Sequence, residues 1–89
     1  MSEDEAIDEA ARHAGDAWAA ARRDELAGAG RAIADGWPGT ISEARAVVLE
    51  ALGRSRALSH EQRDRAARIA FRTAREAWLL MLREAEEAP

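Results

Sequence analysis

The chain has 89 residues and a formal net charge of −4, and 47% of it is hydrophobic, although 23 residues are alanine. We expect a single domain over residues 1–89, whose alanine-rich core buries so little apolar area that a dimer would supply the missing burial. Cysteine is absent, which excludes disulfides, thiolate metal sites and cysteine nucleophiles.

The composition also predicts a source and a compartment. Lys, Asn and Tyr are missing, whereas Arg occurs 13 times. Because the codons of the three missing residues are A/T-rich, this bias predicts a bacterial genome of high G+C content. The acidic N-terminus does not resemble a signal peptide, and no apolar run approaches the ~20 residues of a membrane span. We therefore expect a cytoplasmic protein without membrane contact.

A capping-box motif, S/T-x-x-E/Q, marks three helix starts. It occurs at Ser2–Glu5, Thr40–Glu43 and Ser59–Gln62, each before a helix-compatible segment. The motif predicts three helices, over about 3–34, 41–53 and 60–86. No segment alternates polar and apolar residues as a strand would. The expected fold is an all-α, antiparallel three-helix bundle with long, short and long helices.

Two glycines interrupt the first predicted helix. Gly28 and Gly30 each cost about 1 kcal/mol relative to alanine in a helix interior. Helical spacing nevertheless continues through Leu26, Ala29 and Ile33, so a continuous helix and a break near Gly28–Gly30 are both open. Gly36 can then end a helix, and Pro38 with Gly39 favours a turn before the second helix.

The second and third helices follow the three/four spacing of amphipathic helices. Gly53 suits the position after the second helix. The third helix places Ala67, Phe71, Ala74, Trp78, Met81 and Ala85 on one face. At 1.5 Å per residue the second helix is about 20 Å long and the others about 40 Å. We therefore expect the segment 28–34, or a second chain, to cover the uncovered end of the long pair.

Trp18 and Trp78 lie at similar distances from the capping residues Ser2 and Ser59. If the first and third helices run parallel, both indoles therefore lie near one level of the bundle. There they would supply bulk that the surrounding alanines lack.

The run AWLLML at 77–82 is apolar around the whole helix. Exposed, clustered leucines need cover, which predicts a homodimeric or partner interface at Trp78, Leu79, Leu80 and Leu82. The alternative is that the run is buried at the centre of one bundle.

Four arginines form a stripe on the third helix at three/four spacing, Arg65, Arg68, Arg72 and Arg75. Such a row could contact phosphates or an acidic partner. The interpretation we favour is a solvated flank that also pairs with the acidic start of the first helix, which lies parallel to it in this topology. The acidity of the chain opposes nonspecific DNA binding.

No motif in the sequence predicts catalysis, a metal or a cofactor. Glu9, His13 and Asp16 share a helix face and His60 precedes Asp64 by four residues, but the Glu-x-x-His spacing of di-iron bundles is missing. Phosphate-binding loops and nucleophile elbows are also missing. In outline only, the long–short–long chain resembles the small helical chorismate mutases, which hold a dicarboxylate with Arg and Lys. This chain has no Lys.

These features predict a non-enzymatic bacterial interaction or regulatory protein of the adaptor, antitoxin or immunity type. It would act by helix-face association, as a homodimer, with another protein, or both. Leu79 and Leu80 would be its apolar anchors. The alternative is a nucleic-acid-associated regulator that uses the arginine stripe. A third and less favoured function is a small helical enzyme with an Arg-lined anion pocket.

Overall fold

The computed structural model describes residues 2–32, 37, 39–52 and 58–87. These ranges contain three helices: α1 over Glu3–Gly28, α2 over Ile41–Ala51 and α3 over His60–Glu87. No strand occurs in the described ranges. The helices form an antiparallel bundle in which α1 and α3 share the largest interface and α2 lies against both. The predicted all-α, long–short–long architecture is confirmed.

At the start of each helix a capping hydroxyl accepts a hydrogen bond from a backbone N–H, as predicted. The donor–acceptor distances are 3.2, 3.2 and 3.1 Å in the pairs Ser2–Glu5, Thr40–Glu43 and Ser59–Gln62. At Ser59 the capping box is complete, because the Gln62 side-chain oxygen also accepts the Ser59 N–H at 2.9 Å. These bonds satisfy amides that have no partner within the helix, and they fix where each helix begins.

The end of α1 is set by the second of its two glycines. Gly30 adopts a φ of +72°, the left-handed conformation that side chains disfavour. The Gly30 N–H donates to the Ala27 carbonyl at 3.1 Å and the Arg31 N–H donates to the Leu26 carbonyl at 2.8 Å, which together form a Schellman motif. The alternative of a break near Gly28–Gly30 is therefore confirmed. The continuation of the helix towards residue 34 is wrong, because residues 31 and 32 are not helical.

The other predicted boundaries lie within two residues of those observed at Ala51 and Glu87. The predictions for the turn at Gly36 and Pro38, and for Gly53 after α2, concern positions outside the described residues.

Small residues bring α1 and α3 into close contact. A Cβ on Gly15 of α1 would clash with the Ala70 carbonyl oxygen of α3 and would lie 3.1 Å from the Thr73 Cβ. Alanines line the same interface and are almost fully buried, among them Ala11, Ala66 and Ala70. The backbones of the two long helices therefore approach more closely than bulky side chains would allow.

Trp37, from the connection between α1 and α2, packs between α1 and α3 on the N-terminal side of α2. Its ring lies 5.3 Å from the Trp18 ring and 5.4 Å from the Trp78 ring, with interplanar angles of 63° and 64°. Its ring is also 6.1 Å from Phe71. Trp18 and Trp78 therefore lie at one level, as predicted from the capping residues. Trp37 supplies cover at this level through edge-to-face contacts of favourable geometry, and part of the segment 28–34, which was expected to supply it, lies outside the described residues.

Candidate interaction surface

The two leucines that the sequence singled out are exposed. Leu79 and Leu80 have 51% and 56% of their surface accessible, although they lie in the middle of the C-terminal half of α3. Adjacent, half-exposed leucines form an apolar patch on a helix that otherwise carries charged side chains outward. We call these two residues the leucine pair.

The helical period explains why these two leucines are exposed. The α3 face that packs into the bundle carries Ala70, Ala74 and Trp78 at spacings of four. At about 100° per residue, Leu79 and Leu80 each lie roughly 130° from the centre of that face. They therefore lie opposite the buried face, one on either side of the outermost line of α3.

Of the other two residues predicted at this interface, one is buried and one half-buried. Trp78 is 1% exposed and packs against Trp37, so it cannot contact a partner while the core is intact. The prediction that Trp78 lies at the interface is therefore wrong, and Trp78 belongs to the core. Leu82 is half-buried.

The structure divides the predicted arginine stripe into two parts. A guanidinium nitrogen of Arg65 lies 2.6 Å from a carboxylate oxygen of Asp8 on α1, and the Asp8 side chain is only 16% exposed. This contact joins the N-terminal halves of α1 and α3, as we expected for the acidic start of the first helix. Arg65 therefore has a structural role.

The other three arginines of the stripe remain available. Within the described part of the chain, Arg68, Arg72 and Arg75 form no ion pair and no hydrogen bond with a side chain. Their spacing of four and three places like charges side by side on one helix, which is unfavourable unless an anion or a carboxylate approaches.

These arginines line a groove between α2 and α3. The groove has a volume of about 450 Å³, and it is lined by Ile41, Arg68, Phe71, Arg72, Arg75, Glu76 and Leu79. Ile41 is 46% exposed, and it extends the apolar surface of Leu79 onto α2. We call this feature the arginine groove. It combines an apolar floor with a rim of three guanidinium groups that have no ion-pair partner among the described residues.

Other arginines hold α2 in place. An Arg22 nitrogen of α1 lies 2.8 Å from a Glu43 oxygen at the start of α2, and an Arg45 nitrogen lies 2.6 Å from an Asp64 oxygen on α3. These cross-helix ion pairs are partly exposed and individually contribute little stability. They nevertheless show which arginines serve the fold, in contrast to those of the arginine groove.

The histidines do not assemble a metal site within the described ranges, where no three His, Asp or Glu side chains group suitably. His60 Nε2 lies 3.5 Å from an Asp64 oxygen, an exposed contact within one helix. Glu9 and His13 line an open groove of about 510 Å³ between α1 and α2, together with small apolar residues.

Two features of this surface were not predicted from the sequence. Ile41 follows a capping threonine, so it was assigned to the first turn of a helix and not to a surface shared with Leu79. The second is the carboxyl-terminal charge pattern of α3. Glu76, Arg83 and Glu87 are exposed on the same side as Arg72, and spacings of four and three residues would have revealed this on a helical wheel.

Comparison with known proteins finds no matching family model, no similar curated protein and no similar solved structure. Among the helices described, none is both long and apolar enough to cross a lipid bilayer.

Proposed function

We propose that the chain is a small, non-enzymatic interaction protein of the adaptor, antitoxin or immunity type. It associates with another protein chain through the exposed side of α3, where the leucine pair is the apolar anchor. The observation that carries this proposal is the adjacency of Leu79 and Leu80, each about half exposed, to arginines that form no ion pair with any carboxylate of the described residues.

The energetics of the surface support this function. Burying a fully exposed leucine is worth about 1.5–3 kcal/mol. Because Leu79 and Leu80 are each about half exposed, covering both contributes about 1.5–3 kcal/mol in total, a useful part of a binding free energy. Arginine is enriched at protein interfaces, where its planar guanidinium pairs with carboxylates and packs flat on apolar groups. An apolar anchor beside cationic side chains therefore favours a protein partner.

A second candidate function is nucleic-acid association through Arg68, Arg72 and Arg75. The observation that favours it is that these three arginines are adjacent along α3 and have no ion-pair partner in the part of the chain that the structure describes. It predicts salt-sensitive retention on a DNA column that drops when Arg68 and Arg72 are replaced by alanine. Arg65→Ala is the matched control, because Arg65 is paired with Asp8. Loss of retention in the control alone would contradict this candidate.

Site-specific photocrosslinking in the cells that express the protein tests the proposed function. A photoreactive phenylalanine derivative replaces Leu79 or Leu80, and in the control it replaces Arg12, which is exposed on α1. We expect a discrete crosslinked protein, identified by mass spectrometry, from positions 79 and 80 and not from position 12. Absence of any adduct at 79 and 80, or the same adduct at position 12, would overturn the proposed function.

A further inference from the structure

The exposed side of α3 carries a charge pattern that is complementary to itself when reversed. Six exposed residues form this pattern, which we call the outer stripe: Arg72, Glu76, Leu79, Leu80, Arg83 and Glu87. At about 100° per residue they lie within an arc of roughly 100°, centred opposite the buried face of Ala70, Ala74 and Trp78. The outer stripe therefore lies opposite the buried face, and its Arg72, Glu76 and Leu79 border the arginine groove beside α2.

The spacing of the outer stripe is symmetric about the peptide bond between Leu79 and Leu80. Moving outward from that point, Glu76 on one side corresponds to Arg83 on the other, and Arg72 corresponds to Glu87. Each corresponding pair has opposite charges. A two-fold axis through this point would place a leucine layer at the centre with an acid–base pair beyond it in both directions.

We infer that the partner at this surface is a second copy of the same chain, bound antiparallel through the outer stripe. The inference rests on the proposed function, and it identifies the partner chain as a second copy. In this arrangement the leucine pairs of the two copies cover each other at the axis. Glu76 of each copy faces the partner's Arg83, and Arg72 faces the partner's Glu87, so the interface is isologous.

The side chains concerned are available for these pairs. Arg72 and Glu76 are four residues apart on α3, as are Arg83 and Glu87, so each pair could have bonded within the helix. In the described structure neither pair does, and none of these four side chains has another ion pair or hydrogen bond. Association therefore breaks no ion pair of the monomer.

The charges select both the direction and the register. A parallel pair of α3 helices in register would place Arg72 against Arg72 and Glu76 against Glu76, and such like-charge contacts are unfavourable. Sliding the antiparallel pair by one four-residue turn brings Arg72 opposite Arg83, or Glu76 opposite Glu87 in the other direction. Opposite charges throughout are obtained only in the register centred on the leucine pair.

The thin core gives the second copy a thermodynamic role. Apart from Trp18, Ile7, Val48, Leu58 and Trp78, the buried hydrophobic residues of the described ranges are all alanine. A second α3 adds apolar burial at the leucine pair, and Ile41 extends that patch beside Leu79. Small domains often obtain the stability that a limited core lacks by oligomerisation.

Charge-reversal variants, with the dimer dissociation constant measured by sedimentation equilibrium, test the inference. R83E places two glutamates opposite each other at each Glu76–Arg83 contact, and we expect it to weaken the dimer by about tenfold or more. E76R weakens it likewise. The double variant E76R/R83E restores opposite charges, and we expect its dissociation constant to return to within about threefold of the wild type. A mixture of the two single variants forms a heterodimer.

Three results would overturn the inference, each with folding verified by far-UV circular dichroism. These are a monomeric wild-type chain at micromolar concentration, an R83E dimer as strong as the wild type, and a double variant no stronger than the singles. In the first case a crosslink from positions 79 and 80 to a different protein would still support the proposed function. The failure of the second-copy inference is thus distinguishable from failure of the proposed function.

Discussion

The Ala70 carbonyl oxygen of α3 occupies the place where a Cβ on Gly15 of α1 would lie. The close approach of the two long helices therefore depends on a single missing methyl group. Since α1 and α3 share the largest interface, this contact fixes the position of α3 and of the residues that it exposes.

Gly15→Ala is expected to destabilise the protein by about 1–3 kcal/mol, because a backbone carbonyl must shift to admit the methyl group. Gly28→Ala is the matched control. A Cβ at Gly28 meets nothing within 4 Å, so this variant should be neutral or up to about 1 kcal/mol more stable. Urea unfolding followed by circular dichroism measures both. Equal stabilities for the two variants would contradict the close contact at Gly15.

Gly30→Ala tests the end of α1. A Cβ at Gly30 also meets no atom within 4 Å, but the residue has a φ of +72°. The variant should therefore lose about 1–2 kcal/mol from backbone strain alone. Gly30→Asn should lose less, because asparagine tolerates this conformation better than alanine does. If both substitutions leave the unfolding midpoint unchanged, the Schellman motif does not form in solution.

Trp37→Ala should be among the most destabilising single substitutions in the described chain. The ring contacts Trp18, Phe71 and Trp78, and its removal leaves a cavity that the neighbouring alanines cannot fill. We expect a loss of about 3 kcal/mol, with a smaller loss for Trp37→Phe, which retains an aromatic ring. Thermal unfolding of both variants checks this order. A fully stable Trp37→Ala protein would show that the connection between α1 and α2 contributes nothing to the core.

The Asp8–Arg65 ion pair is expected to show a coupling free energy of about 0.5–1 kcal/mol in a double-mutant cycle with alanine. The Arg65 side chain is 55% exposed, so added salt should reduce this coupling. A second double-mutant cycle, on Asp8 and Arg68, should give no coupling, because Arg68 lines the arginine groove and does not contact Asp8. Equal coupling in the two cycles would mean that Asp8 interacts with the stripe as a whole.

The helix starts could be predicted because they depend on local rules. A capping hydroxyl and its amide are only three residues apart. The pairing of the arginine stripe with the acidic start of the first helix could be predicted from the parallel direction of α1 and α3, which sets Asp8 beside Arg65 although they are 57 residues apart in sequence. Leu79 and Leu80 were likewise identified by their position on the helical wheel.

The role of Trp37 could not be predicted in this way, because a loop residue has no periodicity that tells which way its ring points. The close approach at Gly15 was also missed, since a glycine inside an alanine-rich helix is equally compatible with an open surface. Both depend on the relative position of two helices in space. Trp37 packs against Trp78 on one side of α3 and leaves the leucine pair exposed, so burial of the whole apolar run is wrong for Leu79 and Leu80, and their contact with a partner stays a prediction.

The most direct test of the proposed association surface is the sedimentation equilibrium of the L79D/L80D variant. We expect the wild-type chain to sediment as a dimer at micromolar concentration and the variant to sediment as a monomer with unchanged helicity. Leu49→Asp is the control, because Leu49 is 37% exposed on α2 and should leave the dimer intact. A dimer that persists in L79D/L80D, or one that Leu49→Asp disrupts equally, would contradict association through α3.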